Sequence, residues 1–223
     1  MRIGVFGEGT AARGAAASIA GRFLAGFAKF VTAPRIEWRG VAPTARQRIY
    51  FANHSSNGDA VLIWASLPGA ARRRARPVAA GDYWLTSKLR TFIGRDVFRA
   101  ILIERRPDER TEDPLELIGE ALTKGDSLIL FPEGRRNDTE ERLLPFKSGI
   151  YHLGQAHPGV ELVPVWVANL NHVMPRGEVV PIPLICTVVF GAPIEAREGE
   201  EKDAFLERAR EALLALAPER EGA

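Results

Sequence analysis

The chain has 223 residues, of which 46% are hydrophobic and 26% are charged, so it can bury a core and is not of the disordered class. Its one cysteine excludes a disulfide framework and a metal site built from several cysteines. Residues 1–107 carry 18 Lys and Arg against 6 Asp and Glu, whereas residues 108–223 carry 12 against 22. A basic half favours nucleic acid, anionic lipid or a phosphorylated ligand as partner, and composition leaves all three open.

The N-terminal part predicts an amphipathic helix from Ala11 to Thr32, which Pro34 ends. Apolar side chains recur every three or four positions along it, and its apolar face consists of Ile19, Phe23, Phe27, Phe30 and Val31. No basic start with an apolar run and a cleavage site lies near residue 1, so we expect a cytoplasmic protein. The longest uncharged stretch, Val179–Ile194, contains three prolines and is too short to span a membrane as a helix.

Strand and helix signals alternate after this helix. Predicted strands are Arg35–Val41, Arg48–Asn53, Pro77–Ala80, Phe98–Glu104, Ser127–Phe131, Glu161–Ala168 and Leu184–Phe190. Predicted helices are Asp59–Ser66, Tyr83–Ile93, a segment from Pro114 to Gly125 with Asp113 as its cap, Lys147–Gln155 and Lys202–Leu216. Arg72–Arg76 is predicted as a basic turn. The alternation is typical of an α/β layered domain, with a mostly parallel sheet flanked by helices. We assign residues 1–34 to an N-terminal helical segment and 35–223 to one domain.

The first candidate site lies between a predicted apolar strand and a predicted helix, at Asn53-His54-Ser55-Ser56-Asn57-Gly58-Asp59. Open α/β sheets bind their ligands at such strand ends. Across a tight turn, His54 and Asp59 can converge, so that a neutral imidazole takes a proton from a hydroxyl and the carboxylate fixes its tautomer. The alternative is a turn in which Asp59 only caps the helix and His54 is exposed, because chance matches to H-x4-D are frequent.

The second candidate site, Phe131-Pro132-Glu133-Gly134-Arg135-Arg136, also follows a predicted buried strand. Two arginines beside a glycine turn can hold a phosphate through charge-assisted hydrogen bonds. Glu133 would orient an arginine or accept a hydrogen bond from a substrate hydroxyl. The alternative is a polar turn with surface arginines.

In this order the two segments resemble the glycerophospholipid acyltransferase family, whose best-known members are 1-acylglycerol-3-phosphate acyltransferases. The family's N-H-x4-D and F-P-E-G-T-R blocks match the first and second segments, and shorter similarities lie at Glu104-Arg105 and Val163-Pro164-Val165. Phe146-Lys147-Ser148-Gly149 follows the second segment. Arg135 departs from the usual threonine and Glu104 from the more usual aspartate. Since Arg135 adds a charge beside the expected phosphate site, the head group of the substrate stays open.

The resemblance implies acyl transfer from a thioester, carried by acyl-carrier protein or coenzyme A, to the free hydroxyl of a lysophospholipid. The expected acceptor is 1-acyl-sn-glycerol-3-phosphate, which gives phosphatidic acid in phospholipid biosynthesis, and another lysolipid is the alternative. The catalytic residues would be His54 as general base and Asp59 as its orienting partner. Four residues would hold the phosphate and glycerol of the acceptor: Arg105, Glu133, Gly134 and Arg136. No cofactor and no metal are implied.

A lysophospholipid resides largely in a bilayer, so we expect a peripheral protein on the cytoplasmic face of an anionic membrane. The helix Ala11–Thr32 could lie in the head-group plane with its aromatic face inserted, or pack on the protein's own sheet instead. The Arg72–Arg76 cluster has no interleaved aromatic residue, so no nucleic-acid partner is expected. Two interpretations of this cluster stay open: it contacts lipid head groups, or it is a basic loop exposed to solvent.

Three other interpretations are weaker. Gly7-Glu8-Gly9 begins like a dinucleotide-binding loop, but no acidic residue near position 30 could hold a ribose. Gly125-Asp126-Ser127-Leu128 spells the motif of GDSL-type lipid hydrolases, a rival class of enzyme, but Ser127 would begin a strand rather than follow one. His152 and His157 lack an accompanying cluster of carboxylates or thiols, so no metal site is predicted.

Overall fold

The computed structural model describes residues 11–106, 108, 110, 112–170 and 185–219. Its strands are β1 (Arg35–Trp38), β2 (Arg48–Ala52), β3 (Ala75–Ala80), β4 (Ile101–Ile103), β5 (Ser127–Leu130), β6 (Glu161–Ala168) and β7 (Thr187–Phe190). Within this described part they form one sheet of seven strands in the order β1-β7-β6-β2-β5-β3-β4. Neighbouring strands are parallel except β6 and β7, which are antiparallel. The predicted α/β class with a mostly parallel sheet is confirmed.

Helices cover both faces of the sheet. They are α1 (Ala11–Thr32), α2 (Asp59–Ser66), α3 (Gly69–Arg74), α4 (Gly81–Trp84), α5 (Lys88–Thr91), a π-helix (Phe92–Val97), α6 (Pro114–Thr123), α7 (Gly149–Ala156) and α8 (Lys202–Leu214). Side chains alternate across β2, so that Tyr50 packs in one core with residues of α1 and α2, and Phe51 packs in the other with α6, α7 and α8. The central strand is therefore buried on both sides, as a parallel strand between two helical layers must be.

The position of β2 determines where the candidate site lies. It is hydrogen-bonded to β5 on one side and β6 on the other, with Phe51 opposite Leu130 and Ala52 opposite Val165. Because these strands are parallel, the two candidate segments leave the sheet at the same edge. Asn53 joins β2 to β6 beyond the last strand residue, since its side-chain amide donates to the carbonyl of Val167 and accepts from that residue's N–H, at 2.9 and 2.8 Å.

Two predicted strands are shorter in the structure, since β1 ends at Trp38 rather than Val41 and β4 spans Ile101–Ile103 rather than Phe98–Glu104. Two other predicted elements are replaced by different structure. Arg72–Arg76 is not a turn: α3 ends at Arg74 and β3 begins at Ala75. The arginines at both ends are held by packing, because Arg72 lies over the Trp64 ring and the largely buried Arg76 forms an ion pair with Asp126. Arg72 and Arg76 are therefore part of the fold, whereas Arg73 and Arg74 are exposed.

The predicted helix Tyr83–Ile93 is replaced by α4, α5 and the π-helix. Ser87 interrupts the run, because its hydroxyl accepts from the N–H of Arg90 and so caps the start of α5. A Cβ at Gly94 would lie 3.1 Å from the Trp84 ring, which shows how closely the π-helix packs on α4. In contrast, α6 begins as predicted, with the Asp113 carboxylate accepting from the N–H of Leu115.

Most of the predicted apolar face of α1 points away from the fold, although Val31 packs against the core. Small residues contact the body instead, since Ala17, Gly21 and Ala25 are buried while Phe23 and Phe30 are 75% and 84% exposed. No helix among the described residues has the length and apolar character to cross a membrane. The alternative in which the phenylalanine stripe packs on the protein's own sheet is therefore wrong. Gly7-Glu8-Gly9 lies outside the described residues.

Candidate active site

The loop between β2 and α2 folds back on the first residue of the helix. One carboxylate oxygen of Asp59, Oδ2, accepts from the backbone N–H groups of Ser55 and Ser56, both at 2.7 Å. The N–H of Asp59 donates in turn to the carbonyl of Ser56 at 3.1 Å. These bonds close a tight turn in which the histidine five residues earlier in the chain is brought over the carboxylate.

His54 and Asp59 converge, as the spacing allowed. The distance from His54 Nδ1 to Asp59 Oδ2 is 2.9 Å, with the carboxylate fully buried and the imidazole 21% exposed. An ionised carboxylate only accepts, so Nδ1 carries the proton and Nε2 keeps its lone pair. The geometry provides a fixed tautomer with a basic nitrogen at the partly exposed side of the ring.

Burial raises the pKa of the Asp59 carboxyl, and hydrogen bonds from His54, Ser56 and Ser55 oppose that increase. Its second oxygen, Oδ1, is buried without a hydrogen-bond partner in the described part of the chain. The carboxylate thus lies in a low-dielectric setting, in which its interaction with the imidazole is stronger than it would be in water.

His54 is also contacted by Phe131 of the second segment and by Asn137, which follows that segment. The ring of Phe131 stacks on the imidazole, with centroids 4.2 Å apart and planes 18° from parallel. The N–H of Asn137 donates to the backbone carbonyl of His54 at 2.7 Å. The histidine is therefore held on its ring face and its main chain as well as at Nδ1.

Glu133 links the two segments through backbone groups. Its Oε1 accepts from the N–H of His54 and its Oε2 from the N–H of Leu144, each at 2.8 Å, and the residue is 3% exposed. Burial raises the pKa of this carboxyl, whereas the two amide hydrogen bonds lower it. The family resemblance implies that Glu133 binds the acceptor, and no observation tests that role. Both of its carboxylate oxygens accept hydrogen bonds from the main chain instead.

Gly134 adopts a left-handed conformation, with φ +71°, after the turn that joins its N–H to the carbonyl of Phe131. A Cβ here would lie 2.5 Å from Cε and 2.7 Å from Cδ of Lys147. The positive φ favours glycine here, and the absence of a Cβ leaves room for the Lys147 side chain to cross this residue. Sequence reasoning noted the segment Phe146-Lys147-Ser148-Gly149 but gave Lys147 no role.

The three arginines of interest have different surroundings, and Arg105 follows the edge strand β4, which β3 separates from β5. Arg105 is paired with Asp82 at 2.5 Å, and this hydrogen bond holds the pKa of Asp82 below its ordinary value. Arg135 lies 3.4 Å from Asp138. Arg136 is half-buried and has no ion-pair partner within the described residues. Among these three guanidinium groups, that of Arg136 is thus left uncompensated.

The serine of the GDSL-type motif, Ser127, lies outside this arrangement. Ser127 begins β5 at the opposite end of the strand from Phe131, where its buried hydroxyl accepts from the N–H of Arg48. This placement leaves the GDSL-type alternative without an exposed serine. In the described ranges no group of three or more His, Cys, Asp or Glu residues could hold a metal ion.

The sequence of residues 35–168 matches the acyltransferase family, and that match includes both candidate segments. The chain belongs to this family. It is 30% identical over 184 residues to the 1-acyl-sn-glycerol-3-phosphate acyltransferase of Limnanthes alba, with 78% of this chain and 59% of that protein covered. It is 29% identical over 161 residues to the enzyme of the same name from Cocos nucifera, with 69% and 48% covered. The chain thus spans at most about three fifths of the length of these curated relatives.

The fold of this acyltransferase-family chain is similar to a solved structure, the 1-acyl-sn-glycerophosphate (LPA) acyltransferase PlsC of Thermotoga maritima. The TM-score is 0.68 at 20% sequence identity, with 91% of this chain and 80% of that chain covered. The likeness extends over most of the sheet and its helices, and at this identity it concerns the fold.

Proposed function

We propose that the protein transfers an acyl group from a thioester to the free hydroxyl of a lysophospholipid, and that 1-acyl-sn-glycerol-3-phosphate is the principal acceptor. The product would be phosphatidic acid, an intermediate of phospholipid biosynthesis. The observation that carries the proposal is the 2.9 Å contact between His54 and Asp59 at the carboxyl end of β2. Family membership and the names of the relatives support the same chemistry.

In the proposed reaction, Nε2 of His54 removes the proton from the acceptor hydroxyl as its oxygen attacks the thioester carbonyl. Asp59 stabilises the resulting imidazolium through Nδ1–H. The tetrahedral intermediate then collapses, the C–S bond breaks, and the imidazolium returns the proton to the leaving sulfur. A new ester and a free thiol result, and the histidine is neutral again. A general base of this kind contributes about 10²- to 10⁴-fold to the rate, so positioning of the substrates must supply much of the rest.

Direct transfer without an acyl-enzyme intermediate agrees with the surroundings of the candidate nucleophiles. The thiol of Cys186 is buried, and burial together with the nearby Asp59 charge raises its pKa to about 11. Little thiolate would exist at neutral pH. Ser127 is buried at the far end of β5. Neither group is placed to accept the acyl chain.

The acceptor's phosphate and glycerol would be bound beside the Phe131–Arg136 segment. Arg136 offers an uncompensated guanidinium, and Arg105 offers a second one oriented by Asp82. Gly134 would let the acceptor approach the main chain closely, and Glu133 would act by fixing the His54 backbone. The thioester is carried by acyl-carrier protein or coenzyme A.

We further propose that the enzyme works as a peripheral protein at the cytoplasmic face of an anionic membrane. The exposed phenylalanines of α1 would enter the head-group region, with Arg22 on the same helix near the lipid phosphates. The basic charge of residues 1–107 would add an attraction that salt weakens.

The proposal is tested by incubating the purified protein with a panel of lysophospholipids and either acyl-coenzyme A or acyl-carrier protein, and identifying products by mass spectrometry. We expect phosphatidic acid from 1-acyl-sn-glycerol-3-phosphate, and loss of that product in His54→Ala. A different lysolipid as the preferred acceptor would correct the substrate. Hydrolysis of the thioester or of the lysolipid without transfer would contradict the proposal.

A further inference from the structure

Lys147 has an unusual position for a lysine of an exposed loop. Its backbone N–H donates to the carbonyl of Pro132 at 2.8 Å, which fixes its main chain against the second candidate segment. Its side chain then crosses Gly134 so closely that Cδ and Cε occupy the space of a side chain at that position. Nζ lies 3.3 Å from the ideal Cβ position of Gly134. The ammonium is thus held at the turn that carries Glu133 and Arg136.

Within the part of the chain that the structure describes, no acidic side chain neutralises the charge of this ammonium. Lys147 is exposed, and no carboxylate of the described residues forms an ion pair with it, just as none pairs with Arg136. By contrast, the exposed Lys124 pairs with Glu120 at 2.9 Å. Among the described residues, the second candidate segment thus contains Arg136 and contacts Lys147, two cations without an ion-pair partner there, and its Phe131 ring stacks on His54.

We propose that Lys147 is a further binding residue for the phosphate of the acceptor, and that Gly134 is glycine to let the lysine reach it. This inference rests on the proposed function. A phosphomonoester carries up to two negative charges near neutral pH. Because Asp82 already offsets the charge of Arg105, the guanidinium of Arg136 would leave part of the phosphate charge unmatched. Arg136 would supply planar hydrogen bonding and Lys147 a compact charge with three donors. The pair would favour acceptors with a phosphomonoester over those with a neutral head group.

Steady-state kinetics of Lys147→Ala and Lys147→Arg test this role, with Lys124→Ala as the matched control for loss of an exposed lysine. With 1-acyl-sn-glycerol-3-phosphate as acceptor, we expect Lys147→Ala to raise the acceptor KM about 5- to 20-fold and to leave kcat nearly unchanged. The donor KM and the rate with phosphate-free 1-acylglycerol should stay within about twofold of wild type. Lys147→Arg should retain most of the affinity. An unchanged acceptor KM, or a larger rise in the donor KM, would overturn the assignment.

Binding of glycerol 3-phosphate measured by calorimetry separates this inference from the proposed reaction, because it needs no turnover. Weaker binding by Lys147→Ala than by wild type supports the phosphate site even if the acyl acceptor proves to be a different phosphorylated molecule. Equal binding by both proteins overturns the role of Lys147, although wild-type acyl transfer would leave the proposed function standing.

The same measurement tests the link to Gly134. Gly134→Ala should displace the lysine and weaken glycerol 3-phosphate binding about as much as Lys147→Ala does. In the double variant the two losses should not add, because the lysine is already absent. Fully additive losses would show that the residues act independently and would overturn the proposed reason for glycine.

Discussion

The backbone N–H of His54 donates to the side-chain carboxylate of Glu133 at 2.8 Å, although the two residues lie 79 positions apart in the chain. The other carboxylate oxygen accepts from the N–H of Leu144. A buried carboxylate that satisfies two amides fixes the main chain on both sides of it. Glu133 of the second segment thus fixes the position of the His54 main chain in the first segment.

This relationship predicts that Glu133 affects turnover more than acceptor binding. In Glu133→Gln one amide hydrogen would face the N–H of His54 or Leu144, so one hydrogen bond is lost and the base shifts. We expect kcat to fall at least about tenfold while the acceptor KM changes less than about threefold. Steady-state kinetics with varied acceptor distinguish this outcome from a rise in KM at constant kcat, which would indicate direct contact with the acceptor.

His54→Ala and Asp59→Asn should each remove most acyl transfer. We expect a loss of about 10²- to 10⁴-fold in kcat for the histidine, whose imidazole is partly exposed, without loss of the fold. His152→Ala, at an exposed position on α7, is the matched control. Circular dichroism checks folding, and near wild-type turnover in a folded His54→Ala protein would refute the general-base role.

Much of this arrangement could be predicted from the sequence because it depends on local patterns. Apolar runs that end in a polar turn located the carboxyl ends of β2 and β5, and the H-x4-D spacing located a turn that Asp59 closes onto Ser55 and Ser56. These features need only neighbouring residues, so a single sequence carries them.

Contacts between distant segments could not be predicted in this way. The stacking of Phe131 on His54 and the position of Lys147 over Gly134 depend on the strand order, which no local pattern gives. Which face of α1 packs on the protein stayed open in the sequence for a different reason. Periodicity identifies an apolar stripe but not which face packs, and here the small residues Ala17 and Ala25 face the fold.

Arg136 should act through the phosphorylated acceptor. Since charge-assisted hydrogen bonds are worth about 1.5–3 kcal/mol, Arg136→Ala should raise the acceptor KM about 10- to 100-fold and leave the donor KM nearly unchanged. Arg105→Ala should have a smaller effect of the same kind, because Asp82 already offsets its charge. Arg39→Ala, which breaks an exposed pair with Glu37, is the control. An equal loss for a phosphate-free acceptor would contradict this role.

The buried Asp59 carboxyl should make stability depend on pH in a defined direction. Burial raises its pKa, so the folded protein binds this proton more tightly than the unfolded chain does. The contribution of the protonated Asp59 carboxyl to stability is therefore fully present below its pKa in the unfolded chain, about 4, and is lost as the pH rises through its pKa in the folded protein. We therefore compare the free energies of unfolding of His54→Ala and His54→Ala/Asp59→Asn. The first value minus the second should decrease as the pH rises over this range.

Urea denaturation of these two variants at several pH values measures that difference. The shared His54→Ala background removes the titration of the imidazole, and the other carboxyl groups cancel between the two proteins. A difference that increases with pH would mean that the N–H groups of Ser55 and Ser56 outweigh burial.

The exposed face of α1 should bind membranes without supporting the fold. Phe23 and Phe27 are 75% and 49% exposed, so Phe23→Ser/Phe27→Ser should leave Tm nearly unchanged and weaken sedimentation with anionic vesicles at least about tenfold. Gly21→Leu changes the opposite face, where a Cβ would already lie 3.3 Å from Val97 and 3.4 Å from Trp64. That variant should lower Tm by several degrees through overpacking and keep its vesicle binding. Unaltered vesicle binding by Phe23→Ser/Phe27→Ser would contradict a role of these two side chains in membrane contact.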